Sequence, residues 1–375
     1  MAGANISSSN SHKLAGLDHL RALAIILVLL FHYRLFGHPQ WIESAGRFGW
    51  TGVDLFFVLS GYLISGQLFK QIAAGQSISL RDFFVKRFFR IIPAYLFIVG
   101  VYFCVPAFHE REGLSPLWKY LTFTQNFGLD LRYYGTFSHA WSLCVEEQFY
   151  LLLPVIVLAC VLFKIGRNAA IIIAALFIAG FFIRSFNWHT FVKPFVDEDI
   201  RRINWYKWIY YPTFNRLDGL LTGITVAGLC QFYPKVKSFI YNNGNLFFVI
   251  ALIVLTGAYF VCLDPLTYSA SVFGFPLVAI GYGCLLAAAI SPRCFLYKIR
   301  SRVTASIATL SYSIYLSHKG LFHVTQELFA KLGVQKDSIP MIFLCLAVAI
   351  LGAILLRYLV EKPFLKIKDR LLQKM

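Results

Sequence analysis

Hydrophobic residues along this chain fall in long runs separated by short polar segments, and about ten runs reach the roughly 20 residues needed to cross a bilayer. They lie near 17 to 37, 50 to 69, 90 to 108, 141 to 163, 168 to 186, 216 to 232, 245 to 263, 273 to 290, 306 to 326 and 339 to 358. The pattern predicts an all-α protein, a polytopic membrane helical bundle of about ten transmembrane helices. It divides the chain into an N-terminal arm (1–13), a transmembrane domain (14–358) and a basic tail (359–375).

Orientation follows from the basic residues. One set of loops holds Lys13, Lys70, Arg81, Lys86, Lys164, Arg167, Lys235, Lys237, Arg293 and Arg300, and the tail runs from Arg357 to Lys374. The opposite set is poorer in Lys and Arg and carries Asp197, Glu198 and Asp199. Both termini are therefore expected in the cytoplasm. With no A-x-A-like cleavage site after the arm, the first span reads as retained. All seven tryptophans, at 41, 50, 118, 141, 188, 205 and 208, then fall on the outer side, where they pack two long loops or line a site for a sugar-like ligand.

Composition agrees. The chain is 58% hydrophobic and only 14% charged, against about 25% charged in soluble domains. The net charge of +17 is spread between apolar runs, which excludes nucleic acid as the natural partner and fits a lipid bilayer. The eight cysteines show no CxxC spacing, so no metal site is expected, and most sit inside apolar runs as packing residues.

Candidate chemistry begins on the first span. Arg21 and His32 are eleven residues apart, about three turns and a rise of about 16 Å, so on a helix both point the same way. An ionisable residue in such a run is costly and functional by default, although an arginine at a helix end also snorkels to the interface. Arg87 and Arg90 share a helix face near the cytoplasmic side and suit a polyanion. Toward the outer side lie His32, Asp54, Glu146, Glu147, Arg216 and Asp218, with Ser311, Tyr312, Tyr315 and His318 striping one face of the ninth span.

Two polar layers on one bundle suggest a donor with phosphates at one end and a reactive group on a long arm. An acyl-CoA thioester has that shape. A histidine, with an ordinary pKa near 6.5, would take a proton from an acceptor hydroxyl, and the product would be an O-acyl ester.

Several motifs, in this order and spacing, resemble the acyltransferase-3 family of integral-membrane O-acyltransferases: Arg21-x10-His32, GVDLFFVLSGYLI around Asp54, Arg87-x2-Arg90, HAWSLCVEEQFYLLLP, NRLDGLLTG and SYSIYLSH. The resemblance covers nearly the whole chain. It implies transfer of an acyl group, usually acetyl, from cytoplasmic acetyl-CoA or another acyl-CoA to a hydroxyl of an extracytoplasmic or membrane-associated carbohydrate or glycolipid, with no metal. It places His32 as the catalytic histidine, Arg21 in support of the donor or the helix, and Arg87 and Arg90 at the CoA moiety. Some relatives carry a C-terminal SGNH domain. None is expected here, and a separate periplasmic transferase would supply any step that needs one.

Within that frame His32 is the expected general base, partnered by Glu146 or Asp54, with an acyl-histidine intermediate as the competing route. Tyr150, Tyr312 and Arg216 are candidate oxyanion donors. Arg216 and Asp218 either form an ion pair or hydrogen-bond the acceptor, and His139, Trp141 and His318 are placed with the substrate. Gly219 and Gly223 are spaced for close helix packing. A proton-coupled transporter or flippase would use similar buried ions, but no inverted repeat or paired broken span is present.

Overall fold

The computed structural model describes residues 15–166 and 168–373. The predicted arm 1–13, Arg167 and Lys374 lie outside the described residues. Among those residues the secondary structure is helical, with no strand.

The main helices are α1 (Ala15–Tyr33), α2 (Gly52–Ala73), α3 (Leu80–Cys104), α4 (Trp141–Leu162), α5 (Ala169–Asn187), α6 (Asp218–Phe232), α7 (Gly244–Val261), α8 (Phe275–Ile290), α9 (Arg302–Lys331) and α10 (Ile339–Leu356). A basic amphipathic helix, α11 (Lys362–Gln373), follows. Among the described residues eight spans are long and apolar enough to cross a membrane, so the chain is a multi-pass helical membrane protein. The other two predicted spans coincide with α6, of only 15 residues, and with α9, a 30-residue helix with polar residues along its length.

One predicted boundary is corrected. The third span was expected from residue 90, but α3 starts at Leu80, where Ser79 caps it by accepting from the Asp82 backbone N–H at 3.2 Å. Arg81, Lys86, Arg87 and Arg90 therefore ride on the helix. Hydropathy missed this because the first turns are amphipathic and only the later ones uniformly apolar.

α1 is the hub, packed against α2, α8 and α9. The tightest crossing is α2 on α6. A Cβ on Gly61 would sit 2.2 Å from the Leu220 carbonyl oxygen, and one on Gly223 would sit 2.2 Å from that of Val58, so glycine is needed on both helices. That contact bears out the packing role expected of Gly223.

The segments 105–140 and 188–217 form ordered aromatic caps. Phe137 adopts a left-handed φ of 52°, unusual for a bulky residue. It is fully buried and stacked on Tyr102 at 4.3 Å, which holds the strained turn leading into α4.

Candidate functional site

Two cavities inside the bundle share one lining residue. The first, about 180 Å³, is lined by Arg21 of α1, Arg87 and Arg90 of α3, Glu146 and Tyr150 of α4, and Tyr312 of α9. The second, about 300 Å³, is lined by His32 of α1, His139, Trp141, Trp50, Tyr210 and Lys319, with Arg111 and Arg202 among its further walls. Val53 lines both. Tyr315 lines the first cavity, and its hydroxyl lies 2.5 Å from Ser142 Oγ of that lining and 2.7 Å from the carbonyl oxygen of His139 in the other.

The arginine cavity groups the three expected cations on one wall. The guanidinium of Arg87 sits over the Tyr150 ring at 4.8 Å. Ser60 donates to Glu146 Oε1 at 3.0 Å, and the Tyr150 hydroxyl lies 3.2 Å from Glu146 Oε2. Asp18 is 4.0 Å from Arg21, and among the described residues no carboxylate lies within 4 Å of the Arg87 or Arg90 side-chain nitrogens. The three cations share this cavity with the Glu146 carboxylate.

In the histidine cavity His32 is buried near the end of α1, and its Nδ1 is 2.9 Å from Nε2 of His318. His139 lies close to both rings, with centroids at 5.7 Å and 4.9 Å, and its two ring nitrogens are buried without a hydrogen-bond partner among the described residues. Lys319 pairs with Glu110 at 2.9 Å and reaches Ser138 Oγ at 3.3 Å. Glu110 also accepts from the Phe137 N–H at 3.1 Å, which ties the strained turn to α9. At the rim, Asp130 accepts from Arg132 Nε at 3.0 Å and from its terminal nitrogen at 2.7 Å, and these bonds hold the Asp130 carboxyl below the usual carboxylate range.

Several expectations are corrected by this geometry. Neither Glu146 nor Asp54 contacts His32; the neighbour is another histidine. Asp54 is bound by Arg216 at 2.8 and 2.9 Å, both side chains being buried. Asp218 pairs not with Arg216 but with Arg184 at 2.7 Å. Arg216 and Asp218 are thereby enclosed within the packing and do not line either cavity. Tyr312 donates to the Ile91 carbonyl oxygen at 2.8 Å, and with Tyr150 and Glu146 it faces the arginine cavity, not His32. Of the expected substrate groups, His139 and Trp141 do share a cavity with His32.

Sequence reasoning passed over Arg184, Lys319 and Glu110. Arg184 and Lys319 carried a signal, since each is a lone cation in a span or beside its polar stripe. Glu110 carried none, because it lies in a loop far from Lys319 in sequence.

Comparison with known proteins follows the same lines. Residues 14–358 match the family model described as Acyltransferase domain. The peptidoglycan O-acetyltransferase OatA of Listeria monocytogenes is 30% identical over 82% of this chain and 49% of its own length. The O-acetyltransferase OatA of Staphylococcus aureus is 29% identical over 81% of this chain and 50% of its own. The chain spans about half the length of these curated relatives. No solved structure matches it.

Proposed function

From the premise that this chain belongs to the acyltransferase family whose model covers residues 14–358, we propose that it is a membrane O-acetyltransferase of the cytoplasmic membrane. It takes an acetyl group from cytoplasmic acetyl-CoA and places it on a hydroxyl of an extracytoplasmic or membrane-linked carbohydrate. The observation that carries this reading is the pair of cavities sharing Val53, with Arg21, Arg87 and Arg90 in one and, in the other, His32 together with Lys319, Arg111 and Arg202.

Arg21, Arg87 and Arg90 attract the donor's phosphates. The pantetheine arm passes Val53 and Tyr315, so the thioester reaches His32, about 16 Å along α1 from Arg21. The acceptor lies in the histidine cavity against Trp50, Trp141 and Tyr210, rings suited to a sugar face. His32 takes the hydroxyl proton, the oxygen bonds to the thioester carbonyl carbon, and the thiol leaves. The name of the Listeria relative makes a peptidoglycan glycan the first acceptor to try. Both termini are cytoplasmic in this reading, which puts the arginine cavity on the donor's side.

Purified protein should release acetyl from labelled acetyl-CoA, and His32→Ala should abolish the release while leaving thermal unfolding unchanged. Undiminished release by that variant would refute the role given to His32.

A further inference from the structure

The hydrogen bonds around His32 assign its proton. His318 Nδ1 lies 2.9 Å from the Tyr315 carbonyl oxygen and 3.1 Å from that of Ile314. Carbonyl oxygens only accept, so Nδ1 of His318 carries the hydrogen. No carboxylate lies within 4 Å of either ring among the described residues, and Lys319 follows His318 directly, with its charge already matched by Glu110. A further cation there would lack a counter-ion, so both rings are neutral. Nε2 of His318 is then an acceptor, and the 2.9 Å contact is a donation from His32 Nδ1–H. That leaves Nε2 of His32 with a free lone pair. It makes no hydrogen bond among the described residues, and it is not among the buried unpartnered atoms, as a ring nitrogen reaching into the cavity should not be.

We propose that His318 is the positioning residue of the transfer reaction, the neutral imidazole that fixes the His32 tautomer in the place where many acyl-transfer sites use a carboxylate. This deepens the reading of His32 as base and rests on it. The acceptor hydroxyl gives its proton to His32 Nε2 as its oxygen bonds to the thioester carbonyl carbon. The carbon–sulfur bond then breaks, and the departing thiolate takes the proton from Nε2, so ester and free thiol leave and both rings return to their starting state. While His32 is positive, its Nδ1–H bond to His318 strengthens and spreads the charge. A neutral partner suits this cavity, since a carboxylate would need desolvation beside the Glu110 pair.

Two substitutions separate positioning from packing. In His318→Gln the side-chain oxygen falls near the Nε2 position and still accepts from His32, whereas in His318→Asn the amide ends near Nδ1 and falls short. In the full-length protein, with acetyl-CoA as the probe and thiol release as the readout, the Asn variant should lose at least about 100-fold in kcat. The Gln variant should keep about ten times more than Asn, with KM for acetyl-CoA within about two-fold in both. Equal losses in the two variants, or no loss in either, would overturn the role of His318 while His32→Ala, if inactive, leaves the base in place. A second measurement needs no variant at His318: nitrogen NMR of labelled histidines, with the His32 signal assigned by its absence in His32→Ala, should report an Nδ1-protonated ring. An Nε2-protonated ring would also overturn it.

Discussion

Arg216 places one terminal nitrogen 2.8 and 2.9 Å from the two carboxylate oxygens of Asp54, across 162 positions of sequence, with neither side chain open to solvent. The guanidinium is also boxed by the Phe275 ring at 4.3 Å and the Tyr210 ring at 4.5 Å. This pair clamps α2 to the start of α6. Removing one partner strands a buried charge, so Asp54→Ala should destabilise the protein by about 3–5 kcal/mol. Thermal unfolding in detergent measures this, and the double variant Asp54→Leu/Arg216→Met should recover much of the loss.

Val53 gives the second expectation. It is the side chain shared by both linings, and the proposed donor arm passes it. Val53→Phe should lower acetyl transfer by about 100-fold through misplacement of the thioester, while equilibrium binding of CoA itself stays near that of the parent. Equal loss of CoA binding would show that the ring disturbs the arginine wall instead of the passage.

Charge reversal of Arg87 and Arg90 tests the other side of that passage. Charge-assisted hydrogen bonds contribute about 1.5–3 kcal/mol each, so Arg87→Glu should weaken acetyl-CoA binding by roughly 10- to 100-fold. Acceptor binding should be unaffected. A change confined to the acceptor would remove the donor from this cavity.

Close packing of α2 on α6 can be probed at Gly61. A methyl group there meets the Leu220 carbonyl, a backbone atom that cannot step aside. Gly61→Ala should therefore cost about 1–3 kcal/mol by overpacking, read as a lower unfolding temperature. Gly100, with open space around it, should accept the same change without penalty.

The sequence made the bundle legible because hydropathy reports depth, and depth alone marks where helices run. It also brought Arg21 and His32 to one face, since their spacing lies within a single helix. Hydropathy fixes depth only coarsely within a span, which is why Glu146 and Tyr312 were set at the level of His32 but line the cavity of the arginines. Pairing across the bundle was equally hidden. The motif NRLDGLLTG held one cation, Arg216, with Asp218 two residues away, and the motif of Asp54 held none, while Arg184, which claims Asp218, came from an apolar run with no motif around it. His318 was visible as a polar residue on α9; what it touches was fixed only by the crossing of α9 with α1.

The aromatic wall of the histidine cavity depends on a wide π turn, Tyr206–Tyr210, where the Tyr211 N–H reaches back five residues to the Tyr206 carbonyl at 3.0 Å. That extra residue brings the Tyr206 and Tyr211 rings into a stack at 5.4 Å. Deleting one residue would restore ordinary winding and swing everything after it by about 100°. A single-codon insertion or deletion there would reshape the aromatic wall while the His32–His318 contact stays intact, so the lining of this cavity can change through backbone register rather than through the chemistry of the side chains.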